Sequence, residues 1–377
     1  MRHVGLFLAV LALLVTGASK RHEIVVGAVF PMSGNAATFG QSSREGMQLA
    51  IDEVNAKGGS TVAGQKVPVR AVYEDSEGQP EKAANAAQKL ISLNGICGLV
   101  GAVMSKNSLA IAPLCQEAKV PMISPASTNA KVTEVGDFIF RACFIDPFQG
   151  KVMATYAYHT LGLRKAAVIF DNGNDYNKGL AEVFRKTFEG YGGKVVAWEA
   201  FTDEANTVDF KAQLTNIKAA GPEFLYAPNY YAADAVIMKQ AHEIGLTVPA
   251  GGGDGWDSPQ LVEIGGKDVE GCVFSNHFSK DDQSPVVQSF VNRYQEKYKA
   301  APDALASLAY DAATILLTAM EKAGTTDGPA VRDAIRGIAM DGVSGKITFD
   351  EKRNPVKSAV ILKIANGRQN YVATIRP

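Results

Sequence analysis

The stretch GLVGAVMSKNSLAIAPLCQEAKVPMISPAST, residues 98–128, decides the fold class of this chain. It holds two short apolar strands with a helical pattern between them, and hydroxyl residues follow each strand, at Ser105 and at Ser127 and Thr128. A buried strand, a helix and a second buried strand form the repeating unit of a parallel sheet covered by helices. The sequence therefore predicts an open α/β sheet, in which ligands bind beyond the carboxyl ends of the strands.

Strand and helix patterns alternate on both sides of this stretch. EIVVGAVF and KVPVRAVYED precede it and predict buried strands, and the helix between them places Met47, Ala50 and Ile51 on one face. A second series begins near Lys165 and contains four further strands, AAVIF, GGKVVAWEAF, FLYAP and VPAGGG. The first series ends near Ala142, so we expect two α/β lobes with sheets that are covered on both faces.

The helices predicted near 285–299 and 303–323 follow the second series, and the sheet of the first lobe is their natural host. The tail from Gly345 onward is β-like and can return to the second lobe. We expect lobe 1 at 23–142 plus 276–347, lobe 2 at 146–273 plus 350–377, and three crossovers near 141–147, 273–279 and 345–351. Several connections form a hinge of limited freedom, which suits closure around a ligand.

The first eighteen residues differ from the rest of the chain. Arg2 and His3 precede the apolar run VGLFLAVLALLV, and small residues follow it. This pattern is typical of a secretory signal peptide over residues 1–18, and the run is shorter than the roughly 20 residues that span a membrane. No Cys follows the run to suggest a lipid anchor, so we expect a soluble mature protein in the periplasm or outside the cell.

Composition bounds the class of protein further. A chain of 377 residues is longer than a single hydrophobic core usually accommodates, which suggests two domains. Its net charge of -1, without long charged runs, argues against nucleic acid or an anionic membrane surface as the main partner.

Four cysteines remain after cleavage: Cys97, Cys115, Cys143 and Cys272. In an oxidising compartment they can pair, and two disulfides, 97–115 and 143–272, are one hypothesis. The alternative is that they are small buried hydrophobic residues. No Cys or His spacing resembles a zinc site, so we expect neither a metal nor another cofactor.

Polar residues at strand ends are the candidate site. Ser105, followed by a helix, can cap that helix or help to hold a carboxylate at its N-terminus. Ala126 and Thr128 follow the next strand, where a plain turn is the alternative. No Arg lies at either place, so hydroxyls and backbone dipoles would hold any anion there.

The second lobe offers different groups at its strand ends. Asp254, in GGGDGWD, is either a turn residue or the counter-ion of a ligand ammonium. Tyr230 ends another strand, where an amphipathic ring often lines a pocket. Tyr176 opens a helix and Phe39 follows the first strand, and both are either packing residues or pocket residues.

The motifs of common enzymes are missing from the sequence. It contains no G-x-G-x-x-G after a strand, no P-loop, no H-E-x-x-H and no G-x-S-x-G. A spatially assembled triad leaves no such motif, but none of the strand ends named above carries a His. We therefore expect a binding protein and not an enzyme.

The sequence resembles the leucine/isoleucine/valine-type periplasmic substrate-binding proteins, which deliver amino acids to ABC transporters. The segments that carry the resemblance are GAVFPMSGNAATFGQSSREGMQLAIDEVNAKGG, GAVMSKNS, PMISPAST, FRACFIDPFQG, DNGNDYNKGL, LYAPNYY, GGGDGWDSPQL and EGCVFSNHFS. They span the mature chain in the family's order. The resemblance implies a type I periplasmic binding protein fold, with two Rossmann-like lobes and three hinge crossovers.

The resemblance also implies roles for individual residues. Ser105 and Thr128 match the hydroxyls that hold the ligand carboxylate and amino group, together with the backbone of Ala126. Tyr230 and Asp254 match the second-lobe pair that completes binding of the amino group. The positions that match the side-chain pocket are Phe39, Val103, Met104, Tyr176 and Leu305.

Three departures from the family pattern concern specificity. Phe39 stands where the branched-chain binders carry Tyr, and Asp254 stands where they carry Glu. Lys106 is unusual beside the hydroxyl site, where it either points to solvent or contacts a polar ligand. These departures keep the amino-acid headgroup site and leave the ligand side chain open.

The sequence thus predicts a monomeric exported protein that captures a branched-chain or other apolar amino acid between closing lobes and delivers it to a membrane ABC permease. A sensory module that passes closure to a receptor is an alternative, because closure serves either role. A hydrolase of amino-acid amides or peptides is a second alternative.

Overall fold

The computed structural model of the chain describes residues 23–93 and 95–377. The predicted signal peptide, residues 1–18, lies outside the described residues.

The described residues form sixteen strands. They are β1 (Ile24–Phe30), β2 (Ser60–Val62), β3 (Gln65–Val67), β4 (Val69–Asp75), β5 (Gly98–Gly101), β6 (Met122–Ser124), β7 (Ile139–Arg141), β8 (Lys165–Asp171), β9 (Lys194–Phe201), β10 (Phe224–Tyr226), β11 (Ala250–Gly252), β12 (Val273–Asn276), β13 (Ala339–Gly342), β14 (Gly345–Thr348), β15 (Ala359–Ala365) and β16 (Arg368–Ile375).

Twelve α-helices alternate with these strands in the described part of the chain. They are α1 (Ala37–Ala56), α2 (Pro80–Leu93), α3 (Ser105–Glu117), α4 (Lys131–Glu134), α5 (Asp146–Thr155), α6 (Asp175–Gly190), α7 (Lys211–Ala220), α8 (Tyr231–Glu243), α9 (Pro259–Gly265), α10 (Pro285–Tyr298), α11 (Ala304–Ala323) and α12 (Gly328–Arg336). Short 3₁₀ turns and one π-helical turn, Tyr156–Thr160, complete the helical structure.

Two separate sheets organise the molecule. The first has the order β4-β1-β5-β6-β7 with every neighbour parallel, and we call the part built on it the first lobe. The second has the order β16-β15-β12-β11-β10-β8-β9 and defines the second lobe. Its strands are parallel except for β15 and β16, which pair antiparallel at one edge. The predicted α/β class with parallel-rich sheets is confirmed.

The chain passes between the sheets three times. It leaves β7 and enters α5, and it later leaves β12 and enters α10. Helices α10 and α11 pack on α1 in the first lobe, and the chain then returns through the hairpin β13–β14 to β15. These passages bring three segments together beside the carboxyl ends of the strands.

Alternation of buried side chains explains how each sheet is covered on both faces. In β8, Ala166, Val168 and Phe170 join the apolar cluster that contains α5 and α6. Ala167 and Ile169, which point the other way because strand side chains alternate, join the cluster that contains α7 and α8. A strand buried on both faces therefore shows a continuous apolar run in the sequence.

Helix α11 is the most apolar of the long helices and forms the centre of the first lobe. Among the described residues it alone has the length and composition of a membrane span, but most of it is buried inside the protein. It packs closely on α1 at Gly46. A Cβ atom added to this glycine would lie 1.9 Å from the carbonyl oxygen of Ala306. The apolar composition of α11 is thus explained by its central packing.

The two hypothetical disulfides are absent from the described part of the chain, so that prediction is wrong. Cys115, Cys143 and Cys272 are buried thiols. Cys97 packs in the apolar cluster on the α11 side of the first sheet, whereas Cys115 packs in the cluster on the α2 and α3 side.

Cys143 and Cys272 lie near opposite ends of β12. Cys143 is adjacent to Phe144, whose ring stacks on His277 just beyond the end of β12, whereas Cys272 precedes the start of that strand. A four-residue strand spans about 13 Å, well beyond the Cα separation of about 6 Å that a disulfide requires. The Sγ of Cys143 instead donates to the carbonyl oxygen of Ser127 at 3.3 Å.

Candidate functional site

A cavity lies between the two lobes at the carboxyl ends of their strands. It encloses about 280 Å³, including the part that is open to solvent. Its walls are formed by Phe39, Val103, Met104, Ser105, Ala126, Tyr176, Tyr230, Asp254, Gly255 and Leu305. Except for Gly255 these are residues that the sequence singled out, and the predicted residue missing from the walls is Thr128.

The charge of the cavity is carried by Asp254. The walls contain neither Arg nor Lys, and Lys106, beside Ser105, is half-buried outside them. Since the walls otherwise consist of apolar, hydroxyl and backbone groups, the site favours a ligand with a positive group.

Asp254 is held by three donors from the protein. Its Oδ1 accepts hydrogen bonds from Nε2 of Gln149 and from the hydroxyl of Tyr176, each at 2.9 Å. Its Oδ2 lies 2.9 Å from Nε2 of His277. An ionised carboxylate has about four acceptor positions, so these three donors leave about one for a ligand.

The backbone around Asp254 is fixed by the same partners. Oε1 of Gln149 accepts from the N–H of Asp254 at 3.0 Å and from Oγ of Ser275 at 3.2 Å. The hydroxyl of Tyr176 accepts from the N–H of Gly255 at 2.9 Å. Gln149 and Tyr176 thus each contact both the side chain of Asp254 and the backbone at or beside it.

The glycines in GGGDGW allow this close packing. A Cβ atom at Gly255 would lie 2.6 Å from the carbonyl oxygen of Asn229, and one at Gly252 would lie 1.9 Å from Nε1 of Trp256. That indole nitrogen donates to the carbonyl oxygen of Ala227 at 2.9 Å. The glycines therefore have a packing role beyond the simple turn that was the alternative for this segment.

Aromatic rings form one wall of the cavity. The rings of Tyr176 and Tyr230 are parallel within 2°, with centroids 5.1 Å apart. Phe39 of the first lobe meets Tyr230 edge-on at 5.8 Å and Tyr231 at 5.0 Å. Burial raises the pKa of Tyr176 and of Tyr230 well above the ordinary value, so both phenols stay protonated and act as neutral donors.

The backbone at Tyr230 is held by the half-buried carboxylate of Glu204. Its backbone N–H donates to Oε2 of Glu204 at 3.1 Å, and the side chains of Asn174 and Asn177 donate to the same carboxylate. Burial raises the pKa of Glu204 to about 7. Tyr230 lies four residues beyond the end of β10, as the N-cap residue of α8, and this network holds the loop that carries it.

On the first-lobe side, Ser105 is the first residue of α3 and is almost fully buried. The N-cap residue of this helix is Met104, so the capping role that was the alternative for Ser105 is wrong. Oγ of Ser105 instead accepts from the N–H of Asn129 at 3.3 Å, and its own proton is available to the cavity.

The other serines of this region stabilise the loop after β5. The carbonyl oxygen of Ala102 accepts from the hydroxyls of Ser108, Ser124 and Ser127, at 3.0, 2.8 and 3.1 Å. The loop that follows Ser127 is in turn fixed by the buried guanidinium of Arg141, which donates to the carbonyl oxygens of Ser127 and Asn129. Ser127 therefore stabilises this loop, although it is the neighbour in sequence of Thr128, which was predicted to bind the ligand.

Thr128 lies behind the cavity wall and is fully buried. Its carbonyl oxygen accepts from the N–H of Asp146 at 2.9 Å, and its side chain acts on the Asp146 carboxyl group to lower the pKa of that group. Burial, and in addition the charge of Asp254, raises the pKa of Asp146 to about 8. Asp146 is thus mostly protonated at neutral pH.

The lobes touch each other around the cavity. Oγ1 of Thr38 lies 3.0 Å from Oγ of Ser258, and Nδ2 of Asn129 donates to the carbonyl oxygen of Asp175 at 2.9 Å. Nζ of Lys131 also pairs with the Asp175 carboxylate at 3.0 Å. The structure therefore has a closed cleft.

Sequence reasoning missed two residues that bind Asp254, namely Gln149 and His277. Gln149 lies 105 residues from Asp254 in the chain, on the helix that follows the first crossover. His277 directly follows β12, so the rule that polar residues after a strand mark the site would have identified it. In the described part of the chain, no group of three or more His, Cys, Asp or Glu side chains is placed to hold a metal ion.

Comparison with known proteins identifies relatives along nearly the whole described chain. The model of the family described as periplasmic binding protein matches residues 23–369. A similar protein is the Leu/Ile/Val-binding protein homolog 3 of Brucella melitensis, which is 30% identical over 333 residues that cover 87% of this chain and 88% of that protein.

Two solved structures are also similar to this one. The leucine binding protein LivK of Thermotoga maritima has a TM-score of 0.88 and 39% identity, and the match covers 94% of this chain and 99% of that chain. The branched-chain amino acid transporter substrate binding protein LivJ of Streptococcus pneumoniae, solved in complex with isoleucine, has a TM-score of 0.88 and 30% identity over 94% and 100% of the two chains.

Proposed function

This chain belongs to the periplasmic binding protein family, and on that basis we propose that it captures a free amino acid with an apolar side chain between its two lobes and delivers it to an ABC permease. The similar proteins described above are a Leu/Ile/Val-binding protein homolog, a leucine binding protein, and a branched-chain amino acid transporter substrate binding protein solved with isoleucine.

The observation that carries the proposal is the division of chemistry across one cavity. Ser105 and Ala126 line it from the first lobe, and Asp254 lines it from the second lobe. Neutral donors near the N-terminus of α3 suit a carboxylate, and the remaining acceptor position of Asp254 suits an ammonium. An α-amino acid carries both groups on one carbon. We assign Thr128, which lies just behind this wall, a supporting place in the same headgroup site.

The rest of the cavity supports an apolar ligand side chain. Phe39, Val103, Met104 and Leu305 provide apolar surface on the first-lobe side. Walls of this composition suit a ligand side chain that buries apolar surface on binding.

Closure follows from the way in which the two lobes share the ligand. Asp254 and Tyr230 belong to the second lobe and contact the ligand only when the cleft is closed. A ligand that binds the closed state preferentially shifts the population toward it. The hinge in this proposal consists of the crossovers near 141–147, 273–279 and 345–351, and the lobes are 23–142 plus 276–347 and 146–273 plus 350–377.

The proposal also covers the setting of the protein. Its family is one of substrate-binding proteins, and we infer that it performs no chemistry on the ligand. Family membership implies export to the periplasm, and residues 1–18 would be the signal peptide that directs this export. We propose that it acts there as a monomer, with a membrane permease as its partner.

The test is to identify the ligand directly. Mass spectrometry of small molecules released from gently purified protein is expected to show a branched-chain or other apolar amino acid. Adding leucine at about 100 times its dissociation constant should stabilise ligand-free protein by roughly 2.7 kcal/mol. Leucinamide and 4-methylpentanoate, which lack the carboxylate and the ammonium respectively, serve as matched controls. Equal stabilisation by leucine and 4-methylpentanoate would contradict the proposed role of Asp254.

A further inference from the structure

We propose that His277 is a positioning residue which, in its neutral form, fixes the Asp254 carboxylate for the ligand ammonium, so that proton uptake by His277 weakens ligand binding. This inference rests on the proposed function. It concerns a residue that does not line the cavity and acts through Asp254.

The geometry defines the tautomer of His277. Its side chain is 1% exposed, and Nε2 lies 2.9 Å from Oδ2 of Asp254. An ionised carboxylate only accepts hydrogen bonds, so Nε2 must carry the proton. Gln149 donates to the other oxygen, Oδ1, and the two donors together fix the rotation of the carboxylate.

The second ring nitrogen shows why the neutral form is preferred in the closed protein. Nδ1 of His277 is buried without a hydrogen-bond partner among the described residues. A proton added there would create a buried donor with no acceptor, which is more costly than an unpaired lone pair on a neutral ring. Burial accordingly lowers the pKa of His277, although Asp254 acts in the opposite direction.

The charged groups around His277 support the same conclusion. Lys357, beside the crossover after β14, lowers the pKa of His277 further. Cys143 and Asp146 flank Phe144 on the first crossover, and burial raises their pKa values to about 12 and about 8. Both are thus mainly neutral at pH 7, which leaves Asp254 as the anion that faces the ring.

His277 also lies on the hinge. Its ring stacks on Phe144, with centroids 3.6 Å apart and planes 27° apart. Phe144 belongs to the first crossover and His277 to the second, so the stack joins two of the three segments about which the lobes turn. Opening changes this stack and admits water to Nδ1, so a proton on His277 favours the open form, which releases the ligand.

The experiment measures leucine affinity by calorimetry between pH 5.5 and 8 for the full mature protein and two variants. His277→Gln keeps an N–H donor but cannot be protonated, whereas His277→Leu removes the donor. For the natural protein we expect the affinity to fall with decreasing pH, by at most about tenfold per pH unit for one linked proton. We expect His277→Gln to bind within about threefold of the natural protein at pH 8, because an amide donor replaces the imidazole donor. Its pH profile should be shallower than that of the natural protein, because the contribution of His277 to the pH dependence is lost. His277→Leu should bind at least about tenfold more weakly at every pH.

Two features isolate His277 from other titrating groups. Burial raises the pKa values of Glu204 and Asp303 to about 7 and that of Asp146 to about 8, and it lowers that of Lys357 to about 8. All four groups are present in every variant, so the difference between the pH profiles of the variants reports on His277. His242 forms a comparable pair, with Nδ1 2.9 Å from Oδ1 of Asp268, away from the cavity. The matched control His242→Gln should keep the pH profile of the natural protein.

The outcomes distinguish this inference from the proposed function. If the natural protein binds leucine but His277→Gln shows the same pH profile, or His277→Leu binds with unchanged affinity, His277 does not position Asp254. If the natural protein binds no amino acid at any pH, the proposed function fails and the role of His277 fails with it. Circular dichroism of each variant without ligand confirms that it is folded.

Discussion

The hydroxyl of Tyr176 donates to Oδ1 of Asp254 at 2.9 Å, which ties a residue expected in the side-chain pocket to the headgroup site. The same hydroxyl accepts from the N–H of Gly255, and its one proton is already donated to Asp254, so it has no proton left to donate to a ligand. The ring of Tyr176, stacked on Tyr230, still lines the cavity. One residue therefore serves the two parts of the site through different atoms, and substitutions can separate them.

Tyr176→Phe should weaken the binding of all α-amino acids by a similar factor. The variant keeps the ring and loses the donor to Asp254, and a lost hydrogen bond to a charged group costs about 1.5–3 kcal/mol, or roughly 10- to 150-fold in affinity. Calorimetry with leucine, isoleucine and valine tests this prediction. Tyr176→Ala is the comparison, because it also removes the ring and should change the ranking of the three ligands. A Phe variant with an altered ranking and undiminished leucine affinity would contradict the headgroup role.

Asp254→Asn should reduce leucine affinity by about 100-fold or more. The change keeps the shape of the side chain and removes the charge that meets the ammonium, and breaking a buried ion pair costs about 3–5 kcal/mol. The measurement is calorimetric titration, with thermal unfolding of the ligand-free variant as the control for folding. Unchanged affinity would remove Asp254 from the site.

Asp146→Asn should become increasingly stabilising, relative to the natural protein, between pH 5 and pH 8. The pKa of Asp146 is raised from 3.8 to about 8 in the folded state, so its contribution to stability is complete below about pH 4 and is lost as the pH rises through 8. The Asn side chain does not titrate, so the variant does not lose this contribution to stability as the pH rises. Differential scanning calorimetry of both ligand-free proteins at pH 5, 6.5 and 8 tests the sign. A difference in melting temperature that stays constant with pH would show that Asp146 does not titrate abnormally.

The two contacts that Asp175 makes across the cleft should contribute unequally to ligand release. Nδ2 of Asn129 donates to the carbonyl oxygen of Asp175, and Asn129 is 7% exposed. The carboxylate of Asp175 pairs with Lys131, and the Lys131 and Asp175 side chains are 67% and 46% exposed. Asn129→Ala should speed leucine dissociation about fivefold, since a typical intramolecular hydrogen bond contributes about 1 kcal/mol.

Asp175→Asn is the matched variant, because it removes the exposed ion pair and keeps the bond to the carbonyl oxygen. It should change the dissociation rate by less than about threefold, since exposed pairs contribute little. Stopped-flow fluorescence gives both rates. A larger effect of Asp175→Asn than of Asn129→Ala would reverse the assignment.

Much of the fold was predictable from local patterns. The alternating strands and helices and the inward faces of the helices follow from short-range periodicity, and the return of α11 to the first lobe follows from the need of an apolar helix for a sheet to cover. Phe210, Leu214 and Ile217, for example, occur at helical spacing and are fully buried. The walls of the cavity were also largely anticipated, because the ends of parallel strands lie at one edge of a sheet.

The cysteines show where such patterns fail. Their positions in the sequence predict proximity within one βα unit or between crossovers. The structure separates Cys97 from Cys115 by the thickness of the first sheet, and Cys272 from Cys143 by the length of β12. Sequence spacing does not show which face or which end of a strand a side chain occupies relative to a distant residue.

The sequence by itself determined the two α/β lobes, the strand ends that face each other and the presence of one carboxylate among neutral donors. These features depend on residue type and short-range periodicity, which the sequence contains directly. The tertiary structure alone decided which groups hold that carboxylate, because Gln149, Tyr176 and His277 come from three different segments. They meet at Asp254 only because the sheet and the hinge crossovers bring those segments together, and no local pattern encodes that meeting.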